Sequence, residues 1–224
     1  MAISRCFLGR KAVKSALLTV AQALKTLTQQ DYLAMREGAT VLEFDRFGDK
    51  VLRLADGTML KLFRRKRLLT SAALFPYAQR FARNAAALAK ADIPVPTVIA
   101  VWRLSELARD LVHYAPLAGI TLRELVRAGL TPEDKRQRRD ELTRFIVNLH
   151  NKGIYFRSLH IGNVVVTPDG RFGLIDFSDL RIYPWSLGKY LRARNMRRML
   201  GIAAEADWVD LPAIVAGRAP GAGA

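Results

Sequence analysis

The chain has 224 residues, 50% of them hydrophobic, one cysteine and a formal net charge of +16. That length and apolar content are enough to bury a core, in one domain or two small lobes, and they exclude a disordered chain. Cys6 alone cannot build an intramolecular disulfide framework or a multi-cysteine zinc site. A pI near 10.6 points the working surface toward something anionic: nucleotide phosphates, an anionic membrane or glycolipid, or nucleic acid.

No run approaches the roughly 18 to 20 uninterrupted apolar residues of a membrane-spanning helix, so the chain is expected to be soluble or peripheral. Near the start, Arg5, Arg10, Lys11 and Lys14 precede a short apolar patch and Ala21-Gln22-Ala23, which imitates a signal-peptidase site; Lys25 follows at once and argues against one. From Gly9 to Glu37, Val13, Leu17, Val20, Leu24 and Leu27 recur at helical spacing. Residues 1–40 therefore read as an amphipathic helical segment, either packed on the domain or laid on an anionic membrane.

Three strands are expected next, Val41 to Asp45, Lys50 to Ala55 and Thr58 to Phe63, separated by turns at Phe47-Gly48-Asp49 and Asp56-Gly57. Lys61 sits among apolar neighbours in the third. An alanine-rich helix from Leu74 to Lys90 ends at Asp92-Ile93-Pro94-Val95-Pro96, where two prolines stop it. It contains no carboxylate. Val98 to Leu104 and Asp110 to Tyr114 read as two further strands, and Thr121 opens a helix. Thr131-Pro132-Glu133-Asp134 starts a long one, with Thr as cap, Pro at the first position and acids in the first turn. That helix runs to about Asn151 with Leu142, Phe145, Ile146 and Leu149 on one face, and Gly153 ends it. Val164 to Val166 and Phe172 to Ile175 form a hairpin across Thr167-Pro168-Asp169-Gly170. Arg192, Arg194, Arg197 and Arg198 fall on a further helix, and residues 211–224 are expected to be a disordered tail.

The segment from His150 to Asp179, HNKGIYFRSLHIGNVVVTPDGRFGLIDFSD, carries the functional signal. It resembles the catalytic centre of protein-kinase-like phosphotransferases, in which a loop H-[RG]-D-L-x-x-x-N is followed after a short hairpin by Asp-Phe-Gly or a relative. Here the loop is Phe156-Arg157-Ser158-Leu159-His160-Ile161-Gly162-Asn163 and the second element is Asp176-Phe177-Ser178. With the other elements in order, residues 41 to 200 resemble the bacterial lipopolysaccharide core (Kdo/heptose) kinases and the related toluene-tolerance-type proteins. The run Leu159 to Asn163 also matches the loop of aminoglycoside and choline phosphotransferases.

The resemblance implies an α+β, protein-kinase-like two-lobed fold: a small antiparallel β lobe over 41–115, a hinge at His113 to Gly119, and a mainly helical lobe over 116–210. It implies Mg²⁺ and ATP as cofactors, with Asn163 and Asp176 as metal ligands, since a hard cation takes oxygen donors. Lys61 would hold ATP phosphates, and Gly48 lies in the turn that would cover them. Ser158 stands where the general-base aspartate is expected. His160 could replace that base, or be a structural loop histidine bonding backbone. Asp179 could be a spare metal ligand or a helix cap, and Arg157 could pair with an anionic group or sit on the surface.

Three readings follow. The first is an ATP-dependent phosphotransferase acting on sugar hydroxyls of the lipopolysaccharide core or another anionic glycan, cytoplasmic or peripheral on the inner face of the inner membrane. The second is a pseudokinase scaffold regulating envelope biogenesis, because both the loop aspartate and the helix carboxylate that would pair with Lys61 are replaced. A nucleic-acid-binding protein is the third, supported by charge alone. The basic clusters Arg64 to Arg67, Lys135 to Arg139 and Arg192 to Arg198 are either solvated faces or docking sites for phosphorylated glycolipid or an anionic leaflet.

Overall fold

The computed structural model describes residues 24–65 and 76–218. The chain is α+β and divides into two compact units, one formed by its described residues up to Ala86 with Val98–Tyr114, the other by Ala87–Thr97 with the residues from Ala115 onward.

The first unit is built on a six-stranded sheet of β1 (Lys25–Thr26), β2 (Thr40–Asp45), β3 (Gly48–Arg53), β4 (Met59–Arg64), β5 (Thr97–Leu104) and β6 (Arg109–Ala115), in the order β1-β5-β6-β4-β3-β2. The expected meander is present: β2 pairs β3 and β3 pairs β4, both antiparallel, and β4 pairs β6 antiparallel. Strand alternation sorts the side chains. Leu60 and Leu62 join Leu27, Leu52, Leu104 and Leu111 in one buried cluster. The opposite row brings Lys61 between Val51 and Val112, with Phe63 stacked on Tyr77 and beside Phe81 of α2 (Tyr77–Lys90).

The single helix expected from Gly9 to Glu37 is corrected where it can be described; residues 1–23 lie outside the described part. Lys25–Thr26 is a strand parallel to β5, extended by a bond from the Leu27 N–H to the Arg103 carbonyl (2.9 Å). Of the described residues in that stretch only Gln29–Arg36 is helical (α1), where Thr28 caps it by accepting from the Asp31 N–H at 3.1 Å. α1 is fixed to β3 through Asp49, which accepts from the Tyr32 hydroxyl at 3.0 Å and from Arg36 Nε at 2.6 Å. The Arg36 hydrogen bond holds the Asp49 carboxyl below its usual range, while burial and Asp49 push the Tyr32 phenol up to about 12.

In the second unit, α3 (Leu122–Ala128) begins with a capping box between Thr121 and Glu124, and α4 (Pro132–Asn151) with the Thr131 cap. Leu142, Ile146 and Leu149 are buried as expected, and Phe145 is half-buried with its ring 5.7 Å from Phe172. A three-stranded sheet places β9 (Val164–Val166) between β7 (Ile120–Thr121) and β10 (Phe172–Leu174), and β8 (Ile154–Tyr155) pairs with β11 (Arg181–Ile182). α5 (Lys189–Leu200) and α6 (Leu211–Ala216) complete the unit. The disordered tail expected from residue 211 is thereby corrected over α6: Asp210 caps it, accepting from the Ala213 N–H at 2.9 Å, and Gly217 closes it in the left-handed region. Residues 219–224 lie outside the described part.

His150, at the end of α4, is fully buried and donates from Nε2 to Asn195 Oδ1 at 2.9 Å. Burial pushes its pKa down from 6.5 to about 4. The unfolded chain therefore takes up a proton near 6.5 that the folded chain refuses until about 4, so this group's stabilising contribution is complete above 6.5 and is lost as pH falls through that window. The expected loss is about 3 kcal/mol, readable as a falling urea midpoint. An NMR titration in which His150 protonates near its ordinary value in the folded protein contradicts this.

Candidate functional site

Gly153 makes the turn from α4 into β8 because nothing larger fits: a Cβ there would stand 2.2 Å from the Tyr183 carbonyl oxygen, and φ is +73°. The chain then enters the candidate loop, which Asn195 of α5 grips at its first residue. The Asn195 carboxamide donates to the Phe156 carbonyl (2.5 Å) and accepts from the Phe156 N–H (3.3 Å) as well as from His150. Leu159 and Ile161 are buried, and Arg157 is exposed.

The loop closes in a 3-10 turn, Ile161–Asn163, with the Asn163 N–H donating to the His160 carbonyl at 2.9 Å. Asn163 Nδ2 donates to the Ser158 carbonyl at 3.0 Å, which fixes the carboxamide and turns its oxygen away from that contact. The hairpin β9–β10 pairs Val164 with Leu174, and the Ile175 N–H donates to the Asn163 carbonyl at 3.0 Å. Asn163 and Asp176 therefore stand at the same end of one hairpin. Asp176 is exposed and held at φ +54°, a costly conformation for a residue with a side chain, while Phe177 beside it is fully buried and anchors the turn.

Ser158 is joined to a carboxylate after all. Its Oγ donates to Asp179 Oδ2 at 2.5 Å, across a sequence separation of 21. The helix-cap role expected for Asp179 is corrected, since no helix starts there. Asp179 Oδ1 and the neighbouring Ser178 Oγ are buried without a protein partner, an uncommon and unfavourable state for polar atoms that collects at functional sites.

His160 is the loop's own cap. Its Nδ1 accepts from the Gly162 N–H at 3.0 Å and faces Arg123 Nη2 at 3.2 Å. Both partners are donors, so the ring proton belongs on Nε2. Burial first, and the Arg123 charge next, hold the imidazole below its ordinary pKa. With Nδ1 occupied and the proton on Nε2, the ring in this arrangement has no open lone pair to take an acceptor proton, which favours the structural loop histidine over the replacement base. Arg123 is itself bound to Glu205, a buried carboxylate whose other oxygen accepts from the Ile161 N–H at 3.0 Å. Gly162 lies so close beneath that guanidinium that a Cβ would come within 2.6 Å of it.

Ser158, His160, Asn163 and Asp176 are thus brought together in the second unit. Lys61 and Gly48 belong to the first, Lys61 half-buried in the middle of β4 and Gly48 exposed at the start of β3. Sequence reasoning missed Asn195 and Glu205 as supports of the loop and Asp179 as the partner of Ser158. Glu205 did leave a signal, as the first carboxylate after Asp179 in an otherwise basic stretch. A cleft of about 400 Å³ bordered by Ile93, Pro94, Leu117, Pro168 and Arg171 contains none of the candidate residues.

Among the described residues no group of three or more His, Cys, Asp or Glu side chains could hold a metal alone. Mg²⁺ does not require one, because it keeps waters and phosphate oxygens beside one or two protein ligands. One carboxylate on a strained turn and one oriented carboxamide fit that donor set. Among the described residues no helix is long and apolar enough to cross a membrane. No protein-family model matches the chain, and no curated protein matches it.

Replacing Asn195 by Ala strands His150 Nε2 and both backbone groups of Phe156 in a buried setting. It should cost about 3 kcal/mol of stability. Urea unfolding measures this, and a loss below about 1 kcal/mol would show that Asn195 does not hold the loop.

Proposed function

We propose that the chain is a Mg²⁺- and ATP-dependent phosphotransferase of protein-kinase-like fold, acting on sugar hydroxyls of the lipopolysaccharide core or a similar anionic glycan. The observation that carries this reading is the hairpin end shared by Asn163 and Asp176, with Ser158 tied to Asn163 within the loop and to Asp179 beyond the hairpin. The acceptor class is supported by the sequence resemblance alone.

Asn163 and Asp176 would hold Mg²⁺, which when bound neutralises charge on the phosphate oxygens. The remaining task is the acceptor proton, and Ser158 alone cannot take it usefully at neutral pH. With Asp179 behind it, the serine becomes a relay. Ser158 Oγ receives the proton of the acceptor hydroxyl as its own proton passes to Asp179 Oδ2. The acceptor oxygen then bonds to the γ-phosphorus, and the bond from that phosphorus to the ADP oxygen breaks. Asp179 thus returns to the loop the carboxylate that position 158 lacks. Lys61 enters by resemblance as a further phosphate contact.

A pseudokinase scaffold is the second reading, favoured by the absence of any carboxylate from α2. Transfer of labelled γ-phosphate from ATP to purified core glycolipid separates the two. Asp176→Asn should abolish transfer. Ser158→Ala and Asp179→Asn should each lower kcat by about 10²- to 10⁴-fold, the range of a general base, and the double variant should be no worse than either single one. Additive losses contradict the relay, and undiminished transfer in Asp176→Asn contradicts the site.

A further inference from the structure

Between Leu180 and Ala204 the chain carries Arg181, Lys189, Arg192, Arg194, Arg197 and Arg198 and no carboxylate. Within it the sequence leaves Arg192 to Arg198 open as a solvated face or an anionic docking site, and the structure divides that cluster. Arg192 is buried, donating to the Leu187 carbonyl (2.7 Å), Asn151 Oδ1 (2.7 Å) and Ser186 Oγ (3.0 Å). With Asn195, Met196 and Met199 it forms the inner face of α5. Tyr190, Arg194, Arg197 and Arg198 are exposed and fall at i, i+4, i+7 and i+8, one outer face.

The loop leading into α5 adds apolar side chains to that basic face. Trp185 is 62% exposed, Tyr190 69% and Ile182 45%. This exposure comes from a backbone tied at both ends. The Tyr183 N–H donates to the Gly153 carbonyl and the Leu187 N–H to the His150 carbonyl, both at 2.9 Å. Arg192 holds Ser186 between them. The fold thus presents an indole, a phenol and an isoleucine to water on a pinned scaffold, bordered by cations. The same helix, α5, grips the candidate loop from its inner face, where Asn195 holds Phe156.

Tryptophan and tyrosine rings prefer the headgroup boundary of a bilayer, where an apolar body and a polar edge are both satisfied. Basic side chains prefer the anionic headgroups beside it. A nucleic acid would satisfy the arginines and leave Ile182 and Pro184 in water. We propose that this face docks on an anionic phospholipid bilayer, with Trp185 and Tyr190 at the headgroup boundary and Lys189, Arg194, Arg197 and Arg198 over the headgroup phosphates. The inference deepens the proposed function by naming where a lipid-anchored acceptor is met, and rests on that reading for its purpose only.

The test is cosedimentation of the full chain, without nucleotide, with phosphatidylcholine vesicles and with mixed phosphatidylcholine–phosphatidylglycerol vesicles. The chain should bind the mixed vesicles alone and release at high salt. Each basic residue removed should lower the partition coefficient roughly fivefold, so Arg194→Glu/Arg197→Glu/Arg198→Glu should lower it by on the order of a hundredfold or more. Trp185→Ser should weaken binding, and Trp185→Phe should keep most of it. All these side chains are solvent-facing, and an unchanged thermal midpoint certifies each variant; the tryptophan and arginine arms stand independently if one fails to fold. Equal binding to neutral vesicles, binding unchanged in every variant, or capture of duplex DNA without vesicle binding would overturn the proposal. Phosphate transfer plays no part in the readout, so failure of the enzymatic reading leaves this result intact.

Discussion

The second unit depends on one side chain, the carboxamide of Asn195. It meets both backbone groups of Phe156, where the candidate loop begins, and takes the Nε2 proton of His150, where α4 ends. A buried amide that satisfies three polar groups at once is far costlier to remove than its own net contribution suggests, because each partner would be left desolvated. Burial keeps His150 neutral against that contact, which by itself favours the protonated ring, while Asn195 satisfies the one donor the neutral ring carries.

Around that anchor the loop is held from three sides. Asn195 fixes its start, Glu205 holds Ile161 and Arg123 in its middle, and the hairpin bond from Ile175 to Asn163 fixes its end. Bonded to a loop restrained this closely, the turn after the hairpin can hold Asp176 at a positive φ and leave Asp179 Oδ1 buried without a partner. Strain and unmet hydrogen-bonding capacity persist only where surrounding structure over-determines them, and here they occur together, within four residues of sequence.

What the sequence revealed, and what it hid, divides by distance along the chain. The turn at Asp56-Gly57, the Thr131 cap, the Gly153 stop and the β9–β10 hairpin are local signals, each decided by a few adjacent residues, and all are present. Asn195 with Phe156, Glu205 with Ile161 and Ser158 with Asp179 span 39, 44 and 21 residues, and no periodicity encodes such pairs. Helical spacing misled at Lys25 and Thr26, where pairing with β5 overrides a continuous helix. It also concealed Arg192, whose residue type reads as surface although its donors find carbonyl, amide and hydroxyl oxygens inside the unit.

The central claim is that the hairpin end carrying Asn163 and Asp176 binds a metal-nucleotide complex. Thermal unfolding of the wild type and of Asp176→Asn with ATP, in Mg²⁺ and again in EDTA, tests it most directly. At about a hundred times the dissociation constant a bound nucleotide should stabilise the fold by about 2.7 kcal/mol, a clear rise in Tm. The account predicts a rise that requires Mg²⁺ and is missing from the variant. A wild-type Tm indifferent to nucleotide and metal, or an equal rise in Asp176→Asn, would contradict it.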